Sequence, residues 1–177
     1  MGTRCFAVTV ALLAAGCGAA AGSLDGKVQG HGISVKEAIF VLLPNGGGYL
    51  AAADQENLCA ILNHRQAPRG DMNLLEVSLG NWTAMGIGPL VTGTYLVNAN
   101  VLQPGRWLNA RMAWAHDCTV VAALFASSGS VTVESLAQPG GPTQSAFSVD
   151  LQFGDDHLSG HLVGSPCAVQ TGTACSP

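Results

Sequence analysis

With 177 residues and a formal net charge of −4, the chain is only 10% charged, against roughly 25% in an ordinary soluble domain, and 23 of its residues are glycine. It carries no basic stripe or Lys/Arg run, which argues against a nucleic-acid partner, and its 48% apolar content argues against disorder. A chain of this size and composition fits one compact, turn-rich β domain.

The first element is a leader. Met1-Gly2-Thr3-Arg4 is short and positive, residues 5–13 are apolar, and Ala14-Ala15-Gly16 are small, the three parts of a secretory signal. The apolar run from Cys5 to Ala15 is well short of the ~20 residues that span a bilayer as a helix. Leu13-Ala14-Ala15-Gly16-Cys17 resembles the lipobox of bacterial lipoproteins, with Ala14 where Leu is usual. That resemblance implies lipid attachment at Cys17 and loss of residues 1–16. The mature chain would hold 161 residues with a formal charge of −5, since Arg4 is removed. Residues 17–22 form the lipidated N-terminus and tether, which at ~3.3 to 3.6 Å per residue keeps the head within roughly 20 Å of the lipid. Gly18, with no Asp after the cysteine, resembles the outer-membrane sorting pattern. An ordinary signal with Cys17 as a bystander is the alternative.

Residues 23–177 then read as a single β domain. Segments 25–29, 33–43, 74–79, 91–101 and 108–115 are strand-like, separated by turn chemistry at 44–48, 86–89 and 104–105. Residues 54–62 break the pattern: Asp54 is placed to cap a short helix with Leu58, Ile61 and Leu62 on one face. Residues 119–126 read as a buried strand. After it, 130–136, 145–153 and 157–163 form an antiparallel meander, clearest where Phe147, Val149, Leu151 and Phe153 alternate with Ser148, Asp150 and Gln152. The expected fold is all-β: an antiparallel β-sandwich, or a partly closed barrel, of roughly eight to ten strands with one short helix near 54–62.

Besides Cys17, the mature chain has Cys59, Cys118, Cys167 and Cys175, an even number that reads as two disulfides in an oxidising compartment. Zinc is disfavoured because there is no C-x2-C pair. If 119–126 starts the meander, Cys118 and Cys167 share an edge, favouring 118–167 with 59–175; pairing 59–118 with 167–175 stays open.

Few residues point to chemistry. His157 and His161 fall on a strand, where four residues span ~13 Å, too far for one metal. His116-Asp117-Cys118 places neighbours on opposite faces, which does not assemble a catalytic group. Gly46-Gly47-Gly48 lacks the Lys-Ser/Thr of a phosphate loop and reads as a hairpin. Asp54, Glu56 and Asp71, or Asp155 and Asp156, lack the ligand spacing of a calcium loop, and Asn81-Trp82-Thr83 is a glycosylation sequon without meaning in a bacterial lipoprotein. Trp82, with Met85 and Ile87 beside it, and Trp107 stand out as loop aromatics that either bind flat apolar surfaces such as sugars or plug the end of the fold.

Taken together, the chain resembles the small all-β lipoproteins of Gram-negative bacteria to which no function is assigned. The expected function is a non-enzymatic, structural or accessory envelope lipoprotein, anchored through Cys17, with the outer membrane as its expected location and with no cofactor or metal. The alternative is a binding module whose loops around Trp82 and Trp107 contact a glycan, peptide or partner protein. An envelope hydrolase is a distant third, for want of a visible nucleophile.

Overall fold

The structure, a computed structural model, describes residues 21–63, 70–97, 104–117 and 119–168. These form β1 (Gly22–Lys27), β2 (Glu37–Leu42), β3 (Gly48–Ala53), α1 (Leu58–Leu62), β4 (Asp71–Thr83), β5 (Gly86–Gly88), β6 (Gly93–Val97), β7 (Gly105–His116), β8 (Thr119–Phe125), β9 (Ser128–Ser135), β10 (Ser145–Phe153) and β11 (Asp156–Pro166).

The alternation read in β10 puts Phe147, Val149, Leu151 and Phe153 on a buried face. The same period buries Leu75, Val77 and Leu79 of β4, Leu108, Ala110 and Met112 of β7, and Val131 and Val133 of β9. These faces meet because the sheet closes on itself. In the order β4-β3-β2-β11-β10-β9-β6-β7, the last strand returns to the first along a long antiparallel register from Asp71↔His116 to Trp82↔Gly105. The protein is thus an eight-stranded barrel with β1, β5 and β8 outside the ring. The all-β class and the short helix are as expected, and of the two architectures it is the barrel that forms. Two seams are parallel, β6 with β7 and β11 with β2, each held by two residue pairs. Interior side chains, including fully buried Tyr95, Phe147 and Met112, fill a barrel of this size.

Strand directions define two ends. At the proximal end β1, β3, β6, β7 and β10 begin, and β2, β4, β9 and β11 finish. At the distal end the directions reverse. Residues 43–47 close the β2–β3 hairpin at the proximal end, with Leu43 and Gly47 hydrogen-bonded at 2.8 Å. Tyr95 reaches the loop before β6: its hydroxyl donates to the Val91 carbonyl (2.7 Å) and accepts from the Val91 N–H (3.1 Å). The distal mouth is covered by the segment after β1, which buries Val28 and Ile33 and sets His31 5.1 Å from the Trp114 ring.

Three expectations are corrected. Residues 119–126 are not a buried strand opening the meander: β8 pairs with β7 and is exposed along nearly its whole length. The meander is β9-β10-β11 alone. β8 and β9 run in the same direction around a bend, where the Ala126 N–H donates to Ala110 and the Ser127 N–H to Gln152, so the chain leaves β7 and joins β10. Gly129 (φ +115°) makes that junction possible, because a Cβ there would lie 2.2 Å from the Asp150 carbonyl oxygen.

The helix forms over Leu58–Leu62 and buries Leu58, Ile61 and Leu62, but Asp54 does not cap it. Its first N–H, from Leu58, donates to the Glu37 carboxylate of β2 (2.9 Å), while Asp54 accepts from the backbone and side chain of Asn73 (2.9 and 2.7 Å).

The disulfide joins Cys59 to Cys167, which replaces both pairings weighed from the sequence. Thr119 and Pro166 lie at opposite ends of the barrel, so the start of β8 and the finish of β11 share no edge. Instead the chain after β11 crosses beside β2, where the Cys167 N–H donates to the Phe40 carbonyl (3.1 Å), and meets Cys59 on α1. Helix and disulfide together cover Ile39, Val41, Ala51, Ala53 and Leu74 on the outer face of β2–β4. Cys17, Cys118 and Cys175 lie outside the described residues.

Candidate functional site on the outer face of the barrel

Trp82 and Trp107 sit on neighbouring strands and share one outward face. Trp107 of β7 is registered opposite Gly80 of β4, and Trp82 of β4 opposite Gly105 of β7. Both are half-buried, and both indole N–H groups are shielded with no hydrogen-bond partner among the described residues. Trp107 lies flat over the space Gly80 leaves: a Cβ there would be 2.4 Å from the ring. The two tryptophans neither plug the barrel interior nor stand free of the surface.

Trp107 instead forms one wall of a shallow groove of about 380 Å³ across β3, β4, β7 and β8. Tyr49 and Phe125 form the other walls, and Ser78 and Asn109 line it between them. Glu76 and Arg111, directly opposite across β4–β7, provide its charge. The Arg111 Nε donates to one Glu76 oxygen (2.5 Å) and the Tyr49 hydroxyl donates to the other (2.6 Å). Burial, reinforced by the Glu76 charge and hydrogen bond, pushes the Tyr49 phenol far above its ordinary range. The Glu76 hydrogen bond raises Arg111 further, against a smaller opposing effect of burial. Tyr49 is therefore a fixed donor and not a base. The arrangement can present flat apolar faces beside a guanidinium, a hydroxyl and an amide.

The sequence reading reached Trp107 but missed Tyr49, Glu76, Arg111 and Phe125. The phase of 74–79 places Glu76 and Ser78 on the polar side of β4, which was a usable signal. Phe125 was hidden by the assignment of 119–126 to the core.

The remaining polar residues form separate pairs. His116 is exposed, 2.7 Å from Asp71 and 3.3 Å from Asp117. The Asp71 hydrogen bond, aided by the charges of Asp117 and Asp71, raises its pKa. His157 and His161 lie on the outer face of β11 with different carboxylates, Asp150 (2.6 Å) and Glu134 (3.1 Å). Glu134 also accepts from the Ser148 hydroxyl, the main cause of its lowered pKa. Asp156 accepts the Gln29 N–H at 2.7 Å. Among the described residues no group of three or more His, Cys, Asp and Glu side chains is placed to hold a metal ion.

No protein-family model, curated protein or solved structure matches the chain.

Proposed function

We propose that this protein is an exported, lipid-anchored envelope protein whose barrel is a non-enzymatic binding module for a glycan. In this reading residues 1–16 are removed, Cys17 carries the lipid in the outer membrane, and the groove beside Trp107 takes the sugar. One observation carries the binding half: the Glu76–Arg111 pair lies in an open groove walled by Trp107, Tyr49 and Phe125. Aromatic faces stack on the apolar side of a sugar ring, and Arg111, Asn109 and Ser78 offer hydrogen bonds to its hydroxyls.

Calorimetric titration with soluble peptidoglycan fragments and with neutral β-glucan oligosaccharides tests this. The wild type binds one class, and Trp107→Ala, with unchanged circular dichroism, weakens it by about tenfold, as loss of a stacking face implies. A purely structural role is favoured by the close seat of Trp107 on Gly80. That role predicts no binding to either class and a loss of thermal stability in the same variant.

A further inference from the structure

We propose that the proximal end of the barrel rests on the membrane surface, with the distal end directed away from it. The occupant is a bilayer, and the inference rests on the Cys17 anchor of the preceding section.

Three independent features coincide at this end. First, β1 begins here: Gly22 pairs with Leu162 near the finish of β11, and only four residues, 18–21, separate it from Cys17. At ~3.3 to 3.6 Å per residue that length cannot hold the head far from the lipid.

Second, exposed large apolar side chains gather here. Met85, at the tip of the β4–β5 hairpin, is 99% exposed and Leu42, finishing β2, is 55% exposed, with Ile87 and Val91 beside them. An apolar depression lined by Leu42, Ala137 and Pro166 adds to this surface. Exposed apolar groups on a rim fit an interfacial contact, and they add to the hold of the acyl chains.

Third, charge is segregated. The described proximal connections, 43–47, 84–85, 89–92 and 136–144, contain no charged residue. The first charges inward from this end are Arg106 of β7, over the Tyr95 ring at 5.7 Å, and Glu134 of β9, which is paired with His161 at 3.1 Å. Distal connections and strand ends carry Lys36, Glu37, Asp54, Glu56, Asp117 and Asp155. Anionic lipid repels that acidic end and accepts the proximal one.

A second apolar surface, β8, lies to the side and toward the distal end, away from the tether. It is therefore not part of the docking face.

The three tryptophans provide a ruler. Trp82 is at the proximal end, while Trp114 pairs with Asn73 toward the distal end. Nine register positions at ~3.3 Å, on strands tilted about 40°, place them roughly 20 to 25 Å apart along the axis. The full lipidated protein is reconstituted in phosphatidylethanolamine/phosphatidylglycerol vesicles with brominated acyl chains, in variants that keep one tryptophan and carry Phe at the other two.

The expected result is quenching of Trp82 at least about threefold greater than that of Trp114, with Trp107 between. Because these variants can lose stability, hydrogen exchange on the wild-type protein is measured in parallel, where residues 84–92 gain protection on vesicles and 154–157 do not. Protein that floats with the vesicles but shows equal quenching and unchanged exchange overturns the docking and leaves the anchor standing. Protein that fails to float overturns both.

Discussion

Gly80 and Trp107 show how a missing side chain shapes the site. The indole occupies the space over Gly80, which lowers one wall of the groove and leaves Glu76, four residues back on the same face, to receive both Tyr49 and Arg111. Because Tyr49 and Arg111 each engage a different oxygen of one carboxylate, the floor of the groove is fixed before any ligand arrives, and preorganisation of this kind reduces the cost of binding.

The exposed ion pairs do a different job. His116 has its pKa raised in the fold by Asp71, so its stabilising contribution is complete below the ordinary histidine value of about 6.5 and is lost as pH rises through the raised value. Glu134, with its pKa lowered, acts in the opposite sense, and its contribution is lost as pH falls through the lowered value. Asp71→Asn is expected to move the His116 ring titration, followed by NMR, back toward the ordinary value. Wild type and variant then differ in stability at pH below that titration and converge above it, with a small difference because the pair is exposed. An unchanged His116 titration would contradict the Asp71 contact.

At the scale of elements, β8 is the most instructive. Thr119 to Phe125 is an uncharged, β-prone run that reads as core, yet Val121 is 69% exposed. Local pattern gives a strand its type and its two faces, but not the neighbour that covers them. Here β7 has β6 beside it only at Trp107 and Leu108, so its distal half is paired with β8, which has no partner on its other edge among the described residues.

For the same reason the meander β9-β10-β11 was legible, being built from sequential hairpins. Closure was not, because it depends on β4 meeting β7 across 21 intervening residues and on two short parallel seams. Helix α1 was legible in its apolar face and not in its cap, since Glu37 comes from another strand. Val121→Lys separates the two readings of β8. We expect a thermal stability within ~0.5 kcal/mol of wild type and less self-association in sedimentation, because a charge on an exposed edge blocks strand pairing. A loss of several kcal/mol would restore the strand to the core.

At the scale of the molecule, the barrel is a filled scaffold with specialised surfaces. Its interior is filled with apolar side chains, so the proposed recognition falls to the outer face beside Trp107 and the proposed bilayer contact to the proximal rim. The Cys59–Cys167 bond, with a sequence separation of 108, fastens α1 to the strand finish at the weak β11–β2 seam. In the chain-entropy picture a loop of that length is worth about 4 to 5 kcal/mol, a large share of a domain's net stability.

Both proposed surfaces depend on where the head is held, which the proposed anchor at Cys17 would decide. The most direct measurement is the intact mass of the protein extracted from cell membranes, with peptide mapping before and after reduction. The account predicts a chain that begins at Cys17 with added acyl mass, and peptides containing Cys59 and Cys167 that stay joined until reduced. An unacylated chain recovered from the medium, or one that retains residues 1–16, would contradict it.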